Sequence, residues 1–316
     1  MLLKTTFVVG TRGSRLALTQ TNWVIDELKK HYPHYKFDIS IIKTHGDINS
    51  QVPLEEIGGK GVFVKDIQVA LLEGKIDFAV HSMKDVPARL PGGLTMGAVP
   101  IRENPQDVLI SVRGLPLERL PEGARVGTSS LRRVMQVKQI RPDVVTLPIR
   151  GNVETRIQKM REGQYDAIIL AAAGIHRLGD NLKSEITQYL SPEGFIPAVG
   201  QAALGIEVCI GSEAEALVKA IHHKESGYAV EAERAFLRKL NGNCKIPIAA
   251  HGEIQGDYIT LRGAIAKSKD EKLYYGSKRG LVSEAEEIGG SLAQELIEAA
   301  GITLEDWLKI QAEGSL

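Results

Sequence analysis

The sequence predicts an α/β protein in which two similar domains are followed by a small α+β domain. Strand-like and helix-like segments alternate over about the first 220 of its 316 residues, a pattern typical of parallel sheets covered by helices. The pattern then restarts: Val126-Gly127-Thr128 echoes Val9-Gly10-Thr11, and Glu162-Gly163-Gln164-Tyr165-Asp166 matches Glu73-Gly74-Lys75-Ile76-Asp77. The chain changes character after Gly227, close to the expected start of the third domain.

Each of the first two domains is predicted from short strands joined by helices. In the first, Thr6–Val9, Phe37–Ile42 and Asp77–Val80 are strands, and Ser14 to Lys30 and Val62–Leu72 are helices. In the second, the elements are a strand closing at Val126-Gly127-Thr128, a strand at Val144–Ile149, a helix from Val153 to Met160 and an apolar strand from Ala167. The Pro- and Gly-rich stretches Val86–Pro105 and Ser191–Gly205 are predicted crossovers or hinges that permit modest domain motion.

The third domain is predicted to contain two strands and three helices. A helix from Tyr228 to Leu240 ends at Asn241-Gly242, a plausible C-cap. Strands at Tyr258–Ala266 and Lys272–Ser277 precede helices near Ser283–Ala300 and Leu304–Ala312. The predicted domain boundaries are 1–100 with 200–220 for domain 1, 101–199 for domain 2 and 221–316 for domain 3.

The composition describes an electrically balanced protein. Lysine plus arginine equals aspartate plus glutamate at 39 each, so a basic nucleic-acid-binding protein is not expected. No apolar window approaches about 18 residues and no signal-peptide pattern is present, so we expect a cytoplasmic protein without a membrane partner. The two cysteines cannot form a disulfide framework, and the scattered histidines indicate no metal site.

Both strand-to-helix turns have the composition of an anion site. Gly10-Thr11-Arg12-Gly13-Ser14 and Gly127-Thr128-Ser129-Ser130 place backbone N–H groups and hydroxyls at a helix N-terminus, and Arg132 and Arg133 follow the second turn. Such turns bind carboxylate or phosphate. Ordinary N-capping by serine or threonine is the alternative at each turn.

Further arginines follow the predicted strands of the second domain. Arg150 comes directly after Val144–Ile149, Arg156 lies in the next helix, and Arg177 follows the strand that begins at Ala167. Ligands of α/β proteins bind at the ends of parallel strands, where guanidinium groups pair with carboxylates and phosphates in a bidentate manner. The pattern predicts a ligand with several anionic groups, unless these arginines are simply solvated.

The first domain places polar residues where the second has none. Its third strand ends in a polar tail, consisting of His81, Ser82, Lys84 and Asp85. The corresponding segment Asp166–Gly174 of the second copy stays apolar. Because a buried charge is costly unless it is paired, the tail indicates a site, with a structural Lys84–Asp85 ion pair as the alternative.

Cys244 lies in a loop just after a predicted helix end. The neighbouring Lys245 could favour the thiolate form, which would make Cys244 reactive. On the residues alone, a small buried side chain is the simpler interpretation. Cys209 lies within the apolar run Ile206–Ile210 and is expected in the core.

Together these motifs resemble the porphobilinogen deaminase family over nearly the whole chain. The matching segments are Thr11-Arg12-Gly13-Ser14, Gly58-Gly59-Lys60-Gly61-Val62-Phe63-Val64-Lys65, His81-Ser82-Met83-Lys84-Asp85-Val86-Pro87, Gly127-Thr128-Ser129-Ser130-Leu131-Arg132-Arg133, Arg150-Gly151-Asn152-Val153 and the Cys244 loop. The resemblance implies two domains that are similar to type II periplasmic binding proteins, plus an α+β C-terminal domain. It also implies a dipyrromethane cofactor joined through a thioether to Cys244.

The activity implied by the resemblance is that of a transferase of tetrapyrrole and haem biosynthesis. Four porphobilinogen molecules would be joined head to tail onto the cofactor with loss of ammonia, and hydrolysis would release linear hydroxymethylbilane. Asp85 would be the catalytic residue, stabilising the positive charge that develops as ammonia leaves. The implied cofactor-binding residues are Cys244, Ser14, Lys84, Asp85, Thr128, Ser129, Arg132, Arg133 and Arg150. The implied substrate-binding residues are Arg12, Ser14, Arg150, Arg156, Arg177 and Lys60.

Two other classes of protein remain alternatives. A small-molecule binding protein with this fold but no chemistry would form no covalent adduct and would leave Asp85 and Cys244 without a purpose. A nucleic-acid-binding protein that uses Arg132 and Arg133 is disfavoured by zero net charge and 5% aromatic residues. The expected partners are porphobilinogen and the growing polypyrrole chain, and a monomer is the simplest assembly.

Overall fold

The computed structural model describes residues 4–44, 64–242, 247–268 and 271–312. The chain divides into two compact units, Met1–Glu103 with Ala202–Gly227 and Asn104–Gln201 with Tyr228–Leu316. The divisions at 103/104 and 201/202 fall inside the two Pro- and Gly-rich stretches named above.

Short strands and helices alternate through both units. The strands are β1 (Thr6–Thr11), β2 (Lys36–Ile41), β3 (Phe78–Ser82), β4 (Leu94–Ala98), β5 (Asp107–Ser111), β6 (Arg125–Gly127), β7 (Val145–Leu147), β8 (Ala167–Ala171), β9 (Gln188–Leu190), β10 (Leu204–Cys209), β11 (Ile248–Gln255), β12 (Tyr258–Ile265) and β13 (Tyr274–Leu281). The helices are α1 (Arg15–His31), α2 (Lys65–Leu72), α3 (Leu131–Ile140), α4 (Val153–Arg161), α5 (Ala172–Leu178), α6 (Asp180–Lys183), α7 (Glu213–Val218), α8 (Lys224–Lys239), α9 (Ala285–Ala299) and α10 (Leu304–Ala312).

Within its described residues, the first unit is built on a five-stranded sheet in the order β2-β1-β3-β10-β4. β1 runs parallel to β2 and β3, whereas β10 runs antiparallel to both β3 and β4. α1 packs its apolar stripe on this sheet, and its Val24 and Leu28 join Phe7 and Ile206 in the core.

The second unit repeats this architecture. Its described residues form a sheet in the order β7-β6-β8-β5-β9, in which every neighbouring pair has the same direction as its counterpart in the first unit. β6 is parallel to β7 and β8, and β5 is antiparallel to β8 and β9. The tandem repeat predicted from the sequence motifs is therefore confirmed.

The repeated Glu-Gly motif ends a helix in the same way in both units. Gly74 and Gly163 have φ of 66° and 78°, the left-handed conformation that glycine adopts without strain. In the first copy, the Gly74 and Lys75 N–H groups donate to the Leu71 and Ala70 carbonyls at 3.0 and 2.9 Å. In the second copy, the Gly163 and Gln164 N–H groups donate to the Met160 and Lys159 carbonyls at 2.9 and 3.1 Å. Both helices therefore end in a Schellman motif that turns the chain into the next strand.

The sheets are mixed, whereas the alternating pattern predicts mostly parallel strands. β10 joins the first sheet only after the chain has passed through residues 104–201, and it then pairs between β3 and β4. Local periodicity cannot detect a strand that is inserted from so far along the chain. In addition, β4 lies within Val86–Pro105, so part of that predicted crossover is regular structure.

The C-terminal residues of the second unit form an antiparallel sheet in the order β11-β12-β13, packed against α8 and α9. Phe236, Leu261 and Leu292 lie in its core. Gly289 allows the two helices to approach closely, since a Cβ there would lie 2.2 Å from the Ala232 carbonyl oxygen. β11 was not predicted, because its small and polar residues do not alternate as those of a half-buried strand do.

Candidate active site

The first strand-to-helix turn is stabilised by a serine cap. The Ser14 hydroxyl accepts a hydrogen bond from the Ala17 N–H at 3.2 Å, which is the N-capping alternative considered above. Thr11 is buried, Arg12 is half-buried and Ser14 is exposed. Ligand binding by Arg12 and Ser14 stays a prediction.

Asp85 lies at the end of a short 3₁₀ turn, Met83–Asp85, that directly follows β3. The Met83 N–H donates to the Ala203 carbonyl at 2.9 Å, and the buried Met83 side chain anchors the turn. Asp85 is half-buried, and within the described part of the chain its carboxylate forms no hydrogen bond or ion pair. Lys84 is exposed and is not its partner, so the structural Lys84–Asp85 ion pair is not formed.

The strand that leads to Asp85 is held on the first unit by two polar contacts. His81 Nε2 lies 2.9 Å from Glu207 Oε2 on β10, and Gln68 Nε2 of α2 donates to Glu207 Oε1 at 2.8 Å. The Ser82 hydroxyl contacts the Gln20 side-chain amide of α1 at 3.1 Å. The predicted polar tail therefore has two parts. His81 and Ser82, at the end of β3, form hydrogen bonds within the first unit, and Lys84 and Asp85 lie in the turn that follows the strand.

Sequence reasoning missed Glu207, whose side chain is completely buried. The available signal was one carboxylate within the otherwise apolar strand Leu204–Cys209. A buried carboxylate needs hydrogen-bond donors, and His81 and Gln68 supply them.

The second strand-to-helix turn fixes the residue that precedes Arg150. The Ser129 hydroxyl donates to the Ile149 carbonyl at 2.8 Å and accepts from the Ile149 N–H at 2.9 Å. Thr128 is buried, and its hydroxyl accepts from the Ser130 N–H at 3.3 Å. The Ser129 hydroxyl therefore joins the turn after β6 to the segment after β7, whereas the Thr128 hydroxyl bonds within the turn itself.

Arg132 and Arg133 share a buried carboxylate on β5. Arg132 Nη1 donates to Asp107 Oδ2, and Arg133 Nη2 donates to Asp107 Oδ1, each at 2.6 Å. Burial acts to raise the pKa of Asp107, but the two guanidinium groups outweigh it and lower this pKa to about 2. Burial also lowers the pKa of Arg133, an effect that Asp107 partly offsets. No sequence signal pointed to Asp107.

Arg150 and Arg156 lie around a tight turn. Gly151 has φ of 116°, and Asn152 caps α4 by accepting a hydrogen bond from the Thr155 N–H at 2.8 Å. Arg156 Nε donates back to the Gly151 carbonyl at 2.8 Å. Both arginines are half-buried. The turn thus places two arginine side chains at the start of one helix.

The environment of Arg156 is strongly cationic. Burial, together with the charges of Arg133 and Arg150, lowers the pKa of Arg156 to about 10. No carboxylate pairs with Arg156 within the described residues. An anionic ligand would relieve the repulsion between these partly buried guanidinium groups, so they are suited to bind one.

The remaining predicted residues are placed as follows. Arg177 is half-buried on α5, not in a loop directly after a strand. Lys60 and Cys244 lie outside the described residues. Cys209 is half-buried, its thiol donates to the Leu71 carbonyl at 3.3 Å, and burial and Glu207 raise its pKa. Cys209 is therefore a poor nucleophile.

These features define an α/β protein with two mixed five-stranded sheets of the same topology, a separate C-terminal sheet and arginines suited to a polyanionic ligand. Residues 7–216 match the family model "Porphobilinogen deaminase, dipyromethane cofactor binding domain", and residues 228–298 match "Porphobilinogen deaminase, C-terminal domain". The chain belongs to the porphobilinogen deaminase family.

Curated relatives match over almost their full length. The porphobilinogen deaminase of Shouchella clausii is 47% identical over 98% of this chain and 99% of its own. That of Listeria innocua is 46% identical over 96% and 98%, and that of Syntrophobacter fumaroxidans is 46% identical over 92% and 94%. The predicted family, fold class, transferase activity and dipyrromethane cofactor are confirmed, whereas the roles of individual residues stay predictions.

The chain is also similar to solved structures of binding proteins. A putative methionine-binding lipoprotein of Bacillus subtilis is 13% identical, with a TM-score of 0.42 over 70% of this chain and 92% of its own. A periplasmic binding protein of Salmonella typhimurium with high arginine specificity is 13% identical, with a TM-score of 0.41 over 70% and 93%.

Among the helices of the described residues, none has the length and apolar character of a membrane-spanning segment.

Proposed function

We propose that this enzyme uses Asp85 as its catalytic carboxylate and its arginines to bind the acidic side chains of cofactor and substrate. The reaction is the head-to-tail condensation of four porphobilinogen molecules, followed by hydrolytic release of hydroxymethylbilane. The observation that carries the proposal is the half-buried Asp85 carboxylate, which has no partner among the described residues and stands on a turn anchored by Met83. A carboxylate kept without an internal partner is available to a ligand.

Asp85 has a defined electrostatic task in this reaction. When the aminomethyl group of porphobilinogen loses ammonia, positive charge develops on its carbon and spreads to the pyrrole nitrogen. A fixed carboxylate stabilises that charge by about 3 kcal/mol, and it can accept a hydrogen bond from the pyrrole N–H. It can also help to move the proton that the attacking pyrrole carbon loses.

The arginines of the second unit fit the charges of the ligands. Each pyrrole of the substrate carries an acetate and a propionate, so a chain of pyrroles is a polyanion. Arg150 and Arg156 supply cations that lack a carboxylate partner among the described residues. The Nε and Nη2 atoms of Arg132 also donate to no atom of the described residues. When bound, dipyrromethane supplies the terminal pyrrole carbon to which the first substrate is joined.

The other assignments complete the proposed site. Cys244 would hold the cofactor through a thioether, and the raised pKa of Cys209 makes that thiol the weaker nucleophile. Further cofactor contacts are proposed for Ser14, Lys84, Thr128, Ser129 and Arg133, and further substrate contacts for Arg12, Lys60 and Arg177. We also propose that the enzyme works in the cytoplasm as a monomer, without nucleic acid.

Mass spectrometry of the full chain tests this proposal. The intact protein should be heavier than its sequence by one dipyrromethane, and peptide mapping should place the addition on Cys244. Addition of porphobilinogen should then give a ladder of masses separated by one pyrrole unit. A protein of unmodified mass that still produces hydroxymethylbilane would contradict the covalent cofactor.

A further inference from the structure

Asp107 lies at the start of β5, and its carboxylate is completely buried. One oxygen, Oδ2, accepts from Arg132 Nη1 at 2.6 Å. The other, Oδ1, accepts from Arg133 Nε at 3.0 Å, from Arg133 Nη2 at 2.6 Å and from Gln201 Nε2 at 3.1 Å. Both oxygens are thus fixed by donors from α3 and from the segment that leads to β10.

These bonds hold Arg132 by one edge only. Its Nη1 donates to Asp107 and to the Ile196 carbonyl at 2.8 Å, whereas its Nε and Nη2 donate to no atom of the described residues. The Nε–Nη2 edge of a guanidinium presents two parallel N–H donors that can bind a carboxylate in a bidentate manner. Arg132 is therefore held rigidly while a binding edge remains available.

Arg133 is held more completely. Its Nε and Nη2 donate to Asp107, and its Nη1 donates to the Ile169 carbonyl at 2.9 Å. It still contributes its charge, since it is one of the cations that lower the pKa of Arg156. One carboxylate thus fixes two guanidinium groups and neutralises only one positive charge.

Gln201 fixes the carboxylate in turn. Its Nε2 donates both to Asp107 Oδ1 at 3.1 Å and to the Pro105 carbonyl at 2.7 Å. The preceding residue, Gly200, donates its N–H to the buried Glu233 of α8 at 2.6 Å. The support for the arginines therefore extends from β5 to a helix that packs on the C-terminal sheet.

We propose that Asp107 is a positioning residue, which orients Arg132 so that its Nε–Nη2 edge binds a carboxylate of the cofactor or substrate. This inference rests on the proposed function of the arginines. A purely structural ion pair is the competing explanation, because removal of one member of a buried pair destabilises a protein whatever the pair is for.

Asp107→Glu separates the two explanations, since it keeps the negative charge but moves the carboxylate by one methylene group. Asp107→Asn removes the charge, and Gln201→Leu removes a neutral amide that donates to Asp107 and to the Pro105 carbonyl. Asp166→Asn is the matched control, because Asp166 pairs with Arg125 on the same unit at an exposed position. Each full-length variant is characterised by thermal unfolding, by its cofactor-loaded fraction from intact mass and by kcat and KM for porphobilinogen.

We expect folded Asp107→Glu and Asp107→Asn proteins to lose most of their bound cofactor or to show KM raised about tenfold, as loss of one charge-assisted contact predicts. Gln201→Leu should raise KM about threefold, and Asp166→Asn should leave loading and KM unchanged. Normal loading and KM in folded Asp107→Glu would overturn the proposal. If both Asp107 variants fail to fold, an unchanged KM in Gln201→Leu overturns it. If Arg132→Leu also loads and binds normally, it is the proposed role of the arginines that fails.

Discussion

Asp77 and Asp166 perform the same task in the two units. Asp77 Oδ2 accepts a hydrogen bond from the Val8 N–H at 2.7 Å, and Asp166 Oδ2 accepts one from the Arg125 N–H at 2.8 Å. Each aspartate also donates its own N–H to the carbonyl of the same partner, at 2.8 and 2.9 Å. The two units therefore begin β3 and β8 with the same pair of backbone hydrogen bonds, and they differ in the polar residues towards the ends of these strands.

That difference bears on the proposed role of Asp85. Because Phe78 and Ala167 occupy equivalent register positions, Lys84 and Asp85 correspond to Ala173 and Gly174. In the second unit, the equivalent strand and the residues after it form with Ala173 and Gly174 at those positions. A partly desolvated carboxylate is therefore not required by the fold of the first unit, which supports the proposal that Asp85 takes part in the chemistry.

Asp85→Asn should leave a folded protein with at least about a hundredfold lower kcat, because the neutral amide cannot stabilise a developing positive charge. Steady-state turnover of porphobilinogen, with intact mass to confirm cofactor loading, measures this effect. Asp38→Asn is the control, since Asp38 is an exposed carboxylate on β2 of the same unit. Turnover near the wild-type rate in Asp85→Asn would remove the catalytic assignment.

Cys244→Ser should abolish thioether attachment, so the purified protein should lack the mass of dipyrromethane. Cys209→Ser is the matched control and should retain the adduct, because the Cys209 thiol is half-buried and its pKa is raised. Peptide mapping of both variants gives the position of any addition. An adduct that persists in Cys244→Ser, or that is lost in Cys209→Ser, would refute this linkage.

The sequence predicts those parts of the fold that local chemistry determines. The repeat is visible because each copy needs a glycine to end a helix and an aspartate to begin a strand, as at Gly74 and Asp77. The insertion of β10 and the pairing of β11 depend on contacts between distant segments, which local periodicity does not record.

The same distinction applies to the candidate site. Asp85 and the arginines stand out because charges follow apolar strands. Asp107 and Glu207 do not, because each is a single carboxylate whose partners are remote: Arg132 is 25 positions from Asp107, and His81 is 126 positions from Glu207. Their importance becomes visible only when burial and hydrogen bonding are known.

Arg156→Leu should weaken binding without loss of stability. The pKa of Arg156 is lowered to about 10 by burial and by Arg133 and Arg150, so its charge is unfavourable in the folded protein before ligand binds. We expect KM for porphobilinogen to rise about tenfold and the melting temperature to stay equal or to increase. Arg161→Leu, on the exposed end of the same helix, is the control for both measurements. A lower melting temperature with unchanged KM would indicate a structural role instead.

Glu207→Ala should destabilise the protein by about 3 kcal/mol, because it leaves the buried His81 and Gln68 donors without their acceptor. Urea unfolding followed by circular dichroism measures this loss. Glu213→Ala, an exposed position on α7, should change stability by less than about 1 kcal/mol. Equal stability of the two variants would show that the Glu207 network contributes nothing to the fold.

The stability of the protein should fall in acid through Asp107. Its pKa is about 2 in the folded state, against about 3.9 for an unfolded chain, so folding favours the charged form. The resulting stabilisation, on the order of 2 to 3 kcal/mol, is complete above about pH 5 and is lost as the pH falls towards 2. Urea midpoints at pH 6, 5, 4 and about 3.5 measure how the stability of the wild-type protein depends on pH. Asp107→Asn is less stable at pH 6, but its urea midpoint should fall by less over the same range.

Carboxylates such as Asp143 and Asp166, whose pKa values are also lowered by arginine partners, are common to both proteins and cancel in the comparison. Parallel slopes for the two proteins would mean that the Asp107 carboxylate is not held as a charged acceptor between Arg132 and Arg133.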